Sequence, residues 1–309
     1  MAEMGPETPP YLAFLDHCLA KAGDFWRHPD FSGEPVIQVL SDYAGPPGNS
    51  NSPSKFRTYS FLFTAGPEAI KHYQRRIEEI RQRHHIGEKA AIEYKAIHNS
   101  PELLQALPEI ADAMNGLKGM IFTLVVETGL NSIFGNAEVN HGVLKRAGRV
   151  MTAGTLERTL RIAYSVAYWL ARLVDEGQAT VWLGDRDEIW VNDAISTDFR
   201  ALMSDAIITT GYRGRRFGDV ALLYADSSYV NKPSRDLLAV PDLVAGSLVR
   251  AMSDMKEASP QIKEGMDSLL DIGTDPSGNL SHVIYKAISE AGQGELLKFT
   301  RATQRPLEP

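Results

Sequence analysis

The chain has 309 residues, 43% hydrophobic and 23% charged, a globular composition that excludes a disordered or fibrous protein. Its one cysteine, Cys18, excludes an intramolecular disulfide and a multi-cysteine zinc site, and it suits a reducing cytoplasm. The formal charge of −7 disfavours a general nucleic-acid coating protein, although a locally basic groove is compatible with it. The first ten residues carry neither the basic stretch nor the apolar run of a secretory signal. No run approaches the ~18 apolar residues of a membrane span.

In chain order, Tyr11 to Ala22 carries a short helical pattern with Leu12, Leu15 and Leu19. Pro35 to Leu40 is an apolar run ending in the turn-rich Asp42-Tyr-Ala-Gly-Pro-Pro-Gly48, which predicts a buried strand. Phe56 to Thr64, rich in aromatics and Thr, predicts a second strand, paired with the first as a long-looped hairpin. Pro67 opens a charged helix to about His85. Ala91 to Ile97 predicts a third strand, with Ile92, Tyr94 and Ala96 on one face and Glu93, Lys95 and Ile97 on the other. Ser100 caps a helix to about Met114, and Gly116 stops it. Gly119 to Val126 is a very apolar fourth strand. Thr155 to Asp175 is an amphipathic helix ended by Gly177. Thr180 to Leu183 and Val220 to Ala225 predict two further strands, and Pro241 to Met252 a late helix. Residues 255–309 carry two more helical patterns. Strands that first pair as a hairpin and then alternate with helices predict an α/β fold with three layers and a mixed central sheet. The expected division is an N-terminal helical leader over 1–34, a main domain over 35–254 and a C-terminal helical extension over 255–309.

Acidic residues sit at the ends of several predicted core elements: Asp42, Glu93, Asp185, Asp226 and Asp242. Mg²⁺ and Mn²⁺ prefer hard oxygen ligands, and three or four carboxylates converging from one sheet hold two metals ~4 Å apart. Such a pair activates water and stabilises the leaving oxygen of a phosphodiester. Each residue also has a plainer reading. Asp42 begins a turn, and Glu93 pairs with Lys95. Asp185 and Asp187 form a Gly-Asp-Arg-Asp turn, and Asp226 makes an Asx-turn before two serines. Asp242, after Pro241, suits a helix first turn, where the dipole favours an acid.

Two basic segments could follow a phosphate backbone: the helix carrying Arg75 and Arg76, and Gly211-Tyr-Arg213-Gly-Arg215-Arg216-Phe217. Their plainer reading is a solvated helix face and an exposed loop. No HExxH, P-loop, dinucleotide-binding or nucleophile-elbow pattern occurs.

The acidic segments resemble those of the prokaryotic family catalogued as domain of unknown function 3800. Val36-Ile-Gln-Val-Leu-Ser-Asp42-Tyr-Ala-Gly45 resembles the family's opening strand, keeping Asp42 and Gly45 but with Tyr43 and Ala44 in place of Glu-Ser. Glu93-Tyr-Lys95 resembles its second segment, and Asp185 matches its third position. Asp226-Ser-Ser228 and Leu238-Ala-Val-Pro-Asp242-Leu-Val-Ala-Gly246 resemble its closing pair, with Val240-Pro241 replacing Leu-Ala. The resemblance spans about residues 35–253, and the small Ala245-Gly246 step in it would let the helix lie close on the sheet.

The resemblance implies a ribonuclease H-like fold, here with extra C-terminal helices. It also implies a metal-dependent nuclease cutting DNA or RNA with Mg²⁺ or Mn²⁺. Asp42 would bridge the metals and Glu93, Asp185 and Asp242 complete the cage. Lys95 would neutralise a phosphate, and Glu127 is a reserve ligand. The competing reading is a catalytically silent ribonuclease H-like module that binds nucleic acid or a partner protein. A third is a metal-dependent phosphatase with a small closed pocket. A membrane partner is not expected, and the long helix from Thr155 together with the C-terminal helices offers surfaces for pairing subunits.

Overall fold

The computed structural model describes residues 9–22, 27–45, 55–88, 90–134, 151–184, 193–210, 218–224, 232–253, 260–275, 278–289 and 292–297. Strand β1 (Val36–Ala44) runs antiparallel to β2 (Phe56–Thr64), with Leu40 opposite Leu62 and Asp42 opposite Ser60. Beyond β2 lies β3 (Gly119–Glu127), again antiparallel. On the other side of β1, β4 (Ala179–Gly184) and β5 (Val220–Tyr224) follow in parallel. Two late strands, β6 (Leu280–Ala287) and β7 (Gly294–Leu297), extend the sheet past β3. The resulting seven-stranded mixed sheet has the order β5-β4-β1-β2-β3-β6-β7.

The two-residue period of the strands sends alternate side chains to opposite faces. Ile37, Val39, Tyr59, Phe61, Phe63, Phe122 and Leu124 face one apolar core. Against them pack α1 (Pro10–Ala22), α5 (Ala153–Leu173) and α6 (Asp193–Thr209). Leu40, Leu62, Ile121 and Val125 face the second core. It is closed by α2 (Pro67–Arg83), α4 (Pro101–Asn115), α7 (Lys232–Met252) and α8 (Pro260–Leu270). The expected three-layer α/β architecture with a mixed sheet is therefore what the chain adopts. Both faces of the central strands are covered, which explains why β3 reads as a continuous apolar run. No described helix is long and apolar enough to cross a membrane.

Local signals hold at several ends. The Ser100 hydroxyl accepts the Leu103 N–H at 3.2 Å, and Thr152 caps α5 by accepting from Thr155. Elsewhere the structure departs from expectation. The third strand, 91–97, does not form. Ile92 leads into an extended Glu93 and a single-turn helix, α3 (Tyr94–Ile97). The buried residues there are Ile92 and Ile97, a spacing that alternation cannot produce. The late helix starts at Lys232, so Pro241 lies inside it. Proline cannot donate to the Leu237 carbonyl, and an interior proline costs about 3 kcal/mol. The stripe Leu237, Val240, Val244 and Leu248, all buried, continues through it and holds the helix together. Helix α6, unannounced by a strong pattern, buries Phe199, Leu202, Met203 and Ala206 among its described side chains.

The two ends of the chain pack into the same cores. In α1, Tyr11, Leu12 and Leu15 are wholly buried in the same core as α5. Residues beyond 254 form one described helix, α8, and then β6 and β7 rather than two helices. Strand β6, with Val283, Ile284 and Tyr285 buried, is a two-sided interior strand whose run of apolar residues imitates a helix face.

A polar thread crosses the α7 side of the sheet. The Ser60 and Thr123 hydroxyls lie 3.2 Å apart, and Thr123 Oγ1 is 3.1 Å from His282 Nε2. Burial pushes the His282 pKa down to about 4, against ~6.5 for a free imidazole. The folded state thus binds fewer protons than the unfolded chain between these values. Stability present above pH ~6.5 should fall as the pH drops towards 4, by at most roughly 3 kcal/mol because the residue is partly exposed. In urea unfolding, His282→Gln should flatten this part of the pH profile; an unchanged slope would show that the ring is not held neutral.

Candidate functional site

Asp42 is on β1 with the parity of Leu40, so its side chain faces α7. Helix α7 comes close to the sheet at this point. The buried Thr58 hydroxyl of β2 donates to the Ala245 carbonyl at 3.1 Å. This is the close approach expected of the Ala245-Gly246 step. Gly246 has a second role on the helix's outer side. The Tyr94 ring lies against it so closely that a Cβ there would come within 2.1–2.5 Å of ring carbons. The Tyr94 hydroxyl bonds Arg250 one turn further along, and its ring meets His98 edge-on at 5.9 Å.

This seating brings Asp242 to Asp42. The two carboxyls are hydrogen-bonded to each other, and Asp242 Oδ2 accepts the Tyr94 N–H at 2.5 Å. Burial pushes the Asp242 pKa up, and the nearby Glu93 charge adds to this. The bond to Asp42, the Tyr94 N–H and Lys95 oppose it. Two carboxyls bond directly only when they share a proton, and a cation between them is the other way to relieve their repulsion. Asp242 lies well inside α7, so a first-turn dipole role does not apply to it.

Glu93 precedes α3 in an extended conformation and makes no capping bond with its side chain. Its carboxylate pairs with Lys95 Nζ at 3.0 Å, the plainer reading of that residue, while its charge still reaches Asp242. Glu93, Lys95, Asp42 and Asp242 all line one cleft of about 830 Å³.

The approach to Glu93 is pinned from behind. Arg81, on the buried stripe of α2, donates to the Gly87 and Ala90 carbonyls at 3.2 and 2.8 Å. It also pairs with Asp236 of α7 at 2.9 Å, with side chains only 4% and 13% exposed. The Tyr73 hydroxyl donates to the Asp236 carbonyl at 2.9 Å. Breaking such a pair from one side costs about 3–5 kcal/mol, because it strands a buried charge. Arg81, Asp236, Arg235 and Tyr94 were not singled out from sequence. For Arg81 the signal was present: it continues the stripe Ile70, Tyr73, Ile77 and places a cation on a buried face.

The other expected residues divide in two. Asp185, Asp187, Asp226, Arg213, Arg215 and Arg216 lie outside the described residues. Glu127, at the exposed end of β3, does not line the cleft. Arg75 is turned to His72 at 2.9 Å and Arg76 to Asp112 at 3.0 Å, so neither lines it. Among the described residues no three His, Cys, Asp or Glu side chains form a ready metal cage. What is in place is a carboxyl pair with a third carboxylate beside it.

Gly246→Ala should drive the Tyr94 ring off α7 and cost about 1–3 kcal/mol by overpacking. The second change Tyr94→Ala should recover part of that loss in a double-mutant cycle of denaturant unfolding, whereas simple additivity would place the strain elsewhere. No family model, no curated protein and no solved structure matches this chain.

Proposed function

We infer that the cleft is the active site of a metal-dependent phosphodiesterase of ribonuclease H-like architecture, acting on DNA or RNA. The observation that carries this reading is the meeting of Asp42 and Asp242, from the interior of a central strand and the interior of a helix, with Glu93 alongside. The three-layer architecture, with β1 among the inner strands of its mixed sheet, supports the frame that the resemblance implies. The donors fit Mg²⁺ or Mn²⁺, since all are carboxylate oxygens and the pair is held together against its own repulsion. A bound divalent cation would supply Lewis-acid polarisation and a more acidic water.

Asp42 and Asp242 would hold the cation, Asp42 being the residue shared if two ions bind. The Tyr94 N–H fixes one Asp242 oxygen and so aims the other. Glu93 completes the set when Lys95, whose side chain is 82% exposed, turns from it to a substrate phosphate. Asp185 is the remaining candidate ligand.

One observation favours the second reading, a silent binding module. In the structure Glu93 is neutralised by Lys95, which a module without metal chemistry would retain. A cleavage assay separates the two. Labelled single- and double-stranded DNA and RNA would be incubated with Mg²⁺, Mn²⁺ or EDTA. Cutting should require the metal and fall at least ~10²-fold in Asp42→Asn and in Asp242→Asn, the loss of a few kcal/mol of transition-state stabilisation. Mn²⁺ titration by calorimetry should show binding that both substitutions weaken. Absence of both cutting and Mn²⁺ binding in the wild-type protein would select the silent module.

A further inference from the structure

We propose that Arg235 binds a phosphate of the substrate strand remote from the reacting one, so that the cleft takes a single-stranded segment a few nucleotides long. The inference rests on the phosphodiesterase reading and adds the substrate class to it. Among the described residues three cations line the cleft: Arg81, Lys95 and Arg235. Arg81 is buried and committed to Asp236 and two carbonyls. Lys95 is engaged with Glu93. Arg235 is exposed and, among the described residues, has no ion-pair partner. It sits in the first turn of α7, which carries no acid there. A cation at that end opposes the helix dipole, so helix stability does not account for it.

The spacing identifies what it meets. Arg235, Leu238, Ala239 and Asp242 all line the cleft and form one stripe of α7. Seven residues of helix put Arg235 about 10 Å from Asp242 along the axis. Stacked nucleotides advance about 3.4 Å per step, so a phosphate at Arg235 is roughly three nucleotides from one at Asp242, and fewer in a stretched strand. The cleft, about 830 Å³, is of a size that encloses a small ligand or a short run of one strand rather than a duplex. Leu238 and Ala239 give the intervening floor an apolar surface that suits sugars and bases.

The test is fluorescence anisotropy with fluorescein-labelled 12-mers of single-stranded DNA, single-stranded RNA and duplex DNA, in EDTA, across a salt series. Arg235→Ala should weaken single-strand binding about 5–10-fold at low salt. It should also reduce the slope of log affinity against log salt by about 0.7, the contribution of one neutralised phosphate on a single strand. Arg235→Lys should keep the slope, which a merely structural effect would not arrange. A wild-type slope and affinity in Arg235→Ala would overturn the proposal while leaving the phosphodiesterase reading intact. Equal affinity for duplex would overturn the substrate class. No binding of any 12-mer by the wild-type protein, together with no cleavage, would overturn both.

Discussion

The seating of α7 on β1 and β2 is the constraint on which the cleft depends. Asp42 is fixed by strand register, opposite Ser60, and cannot move without slipping the hairpin. Asp242 reaches it only because the helix lies low enough for the Thr58 hydroxyl to bond the Ala245 carbonyl. Small residues permit that approach from both sides, Ala245 towards the sheet and Gly246 towards Tyr94. A larger side chain at either position would lift one carboxyl from the other.

Around this contact the protein spends stability on polar groups held away from water. Arg81 and Asp236 are buried together, and a pair of that kind is seldom worth more than the apolar residues that could replace it. Its effect is geometric. It joins α2, the 87–90 segment and α7, the three pieces that surround Glu93. Asp242 carries a raised pKa for a related reason, because burial and a neighbouring carboxylate both oppose its charge. A carboxyl perturbed by burial and a charge partner in a cleft is a candidate functional group, and here the perturbation has named causes.

Much of the frame was legible in the sequence. Strands β1 to β5 follow from short apolar runs bounded by Gly, Pro and Asp, and the cap at Ser100 sits where its side-chain oxygen meets a free N–H group. Asp42, Glu93 and Asp242 were legible as a group, and they line one cleft. The failures have physical origins. Residues 91–97 alternate like a strand, yet the strands nearest them, β1 and β2, already have a partner on each side, and Asp242 takes the Tyr94 N–H instead. β6 is buried on both faces and so loses the alternation that marks a strand. Arg81 and Asp236 are distant in sequence, and no local pattern announces that two surface-type residues will be buried as partners.

The order in which the sheet is completed has a consequence for biosynthesis. Strand β3 lies inside the sheet only because β6 pairs with its outer edge, and β6 begins at Leu280. A nascent chain makes β3 long before β6 leaves the ribosome. For that interval a strand with an unbroken apolar stretch, Met120 to Val126, offers a bare row of backbone donors and acceptors. Such an edge recruits other strands, including those of a second nascent copy. A chain that stops short of residue 280 would keep that edge permanently, so the last strands act as the protein's own guard against aggregation.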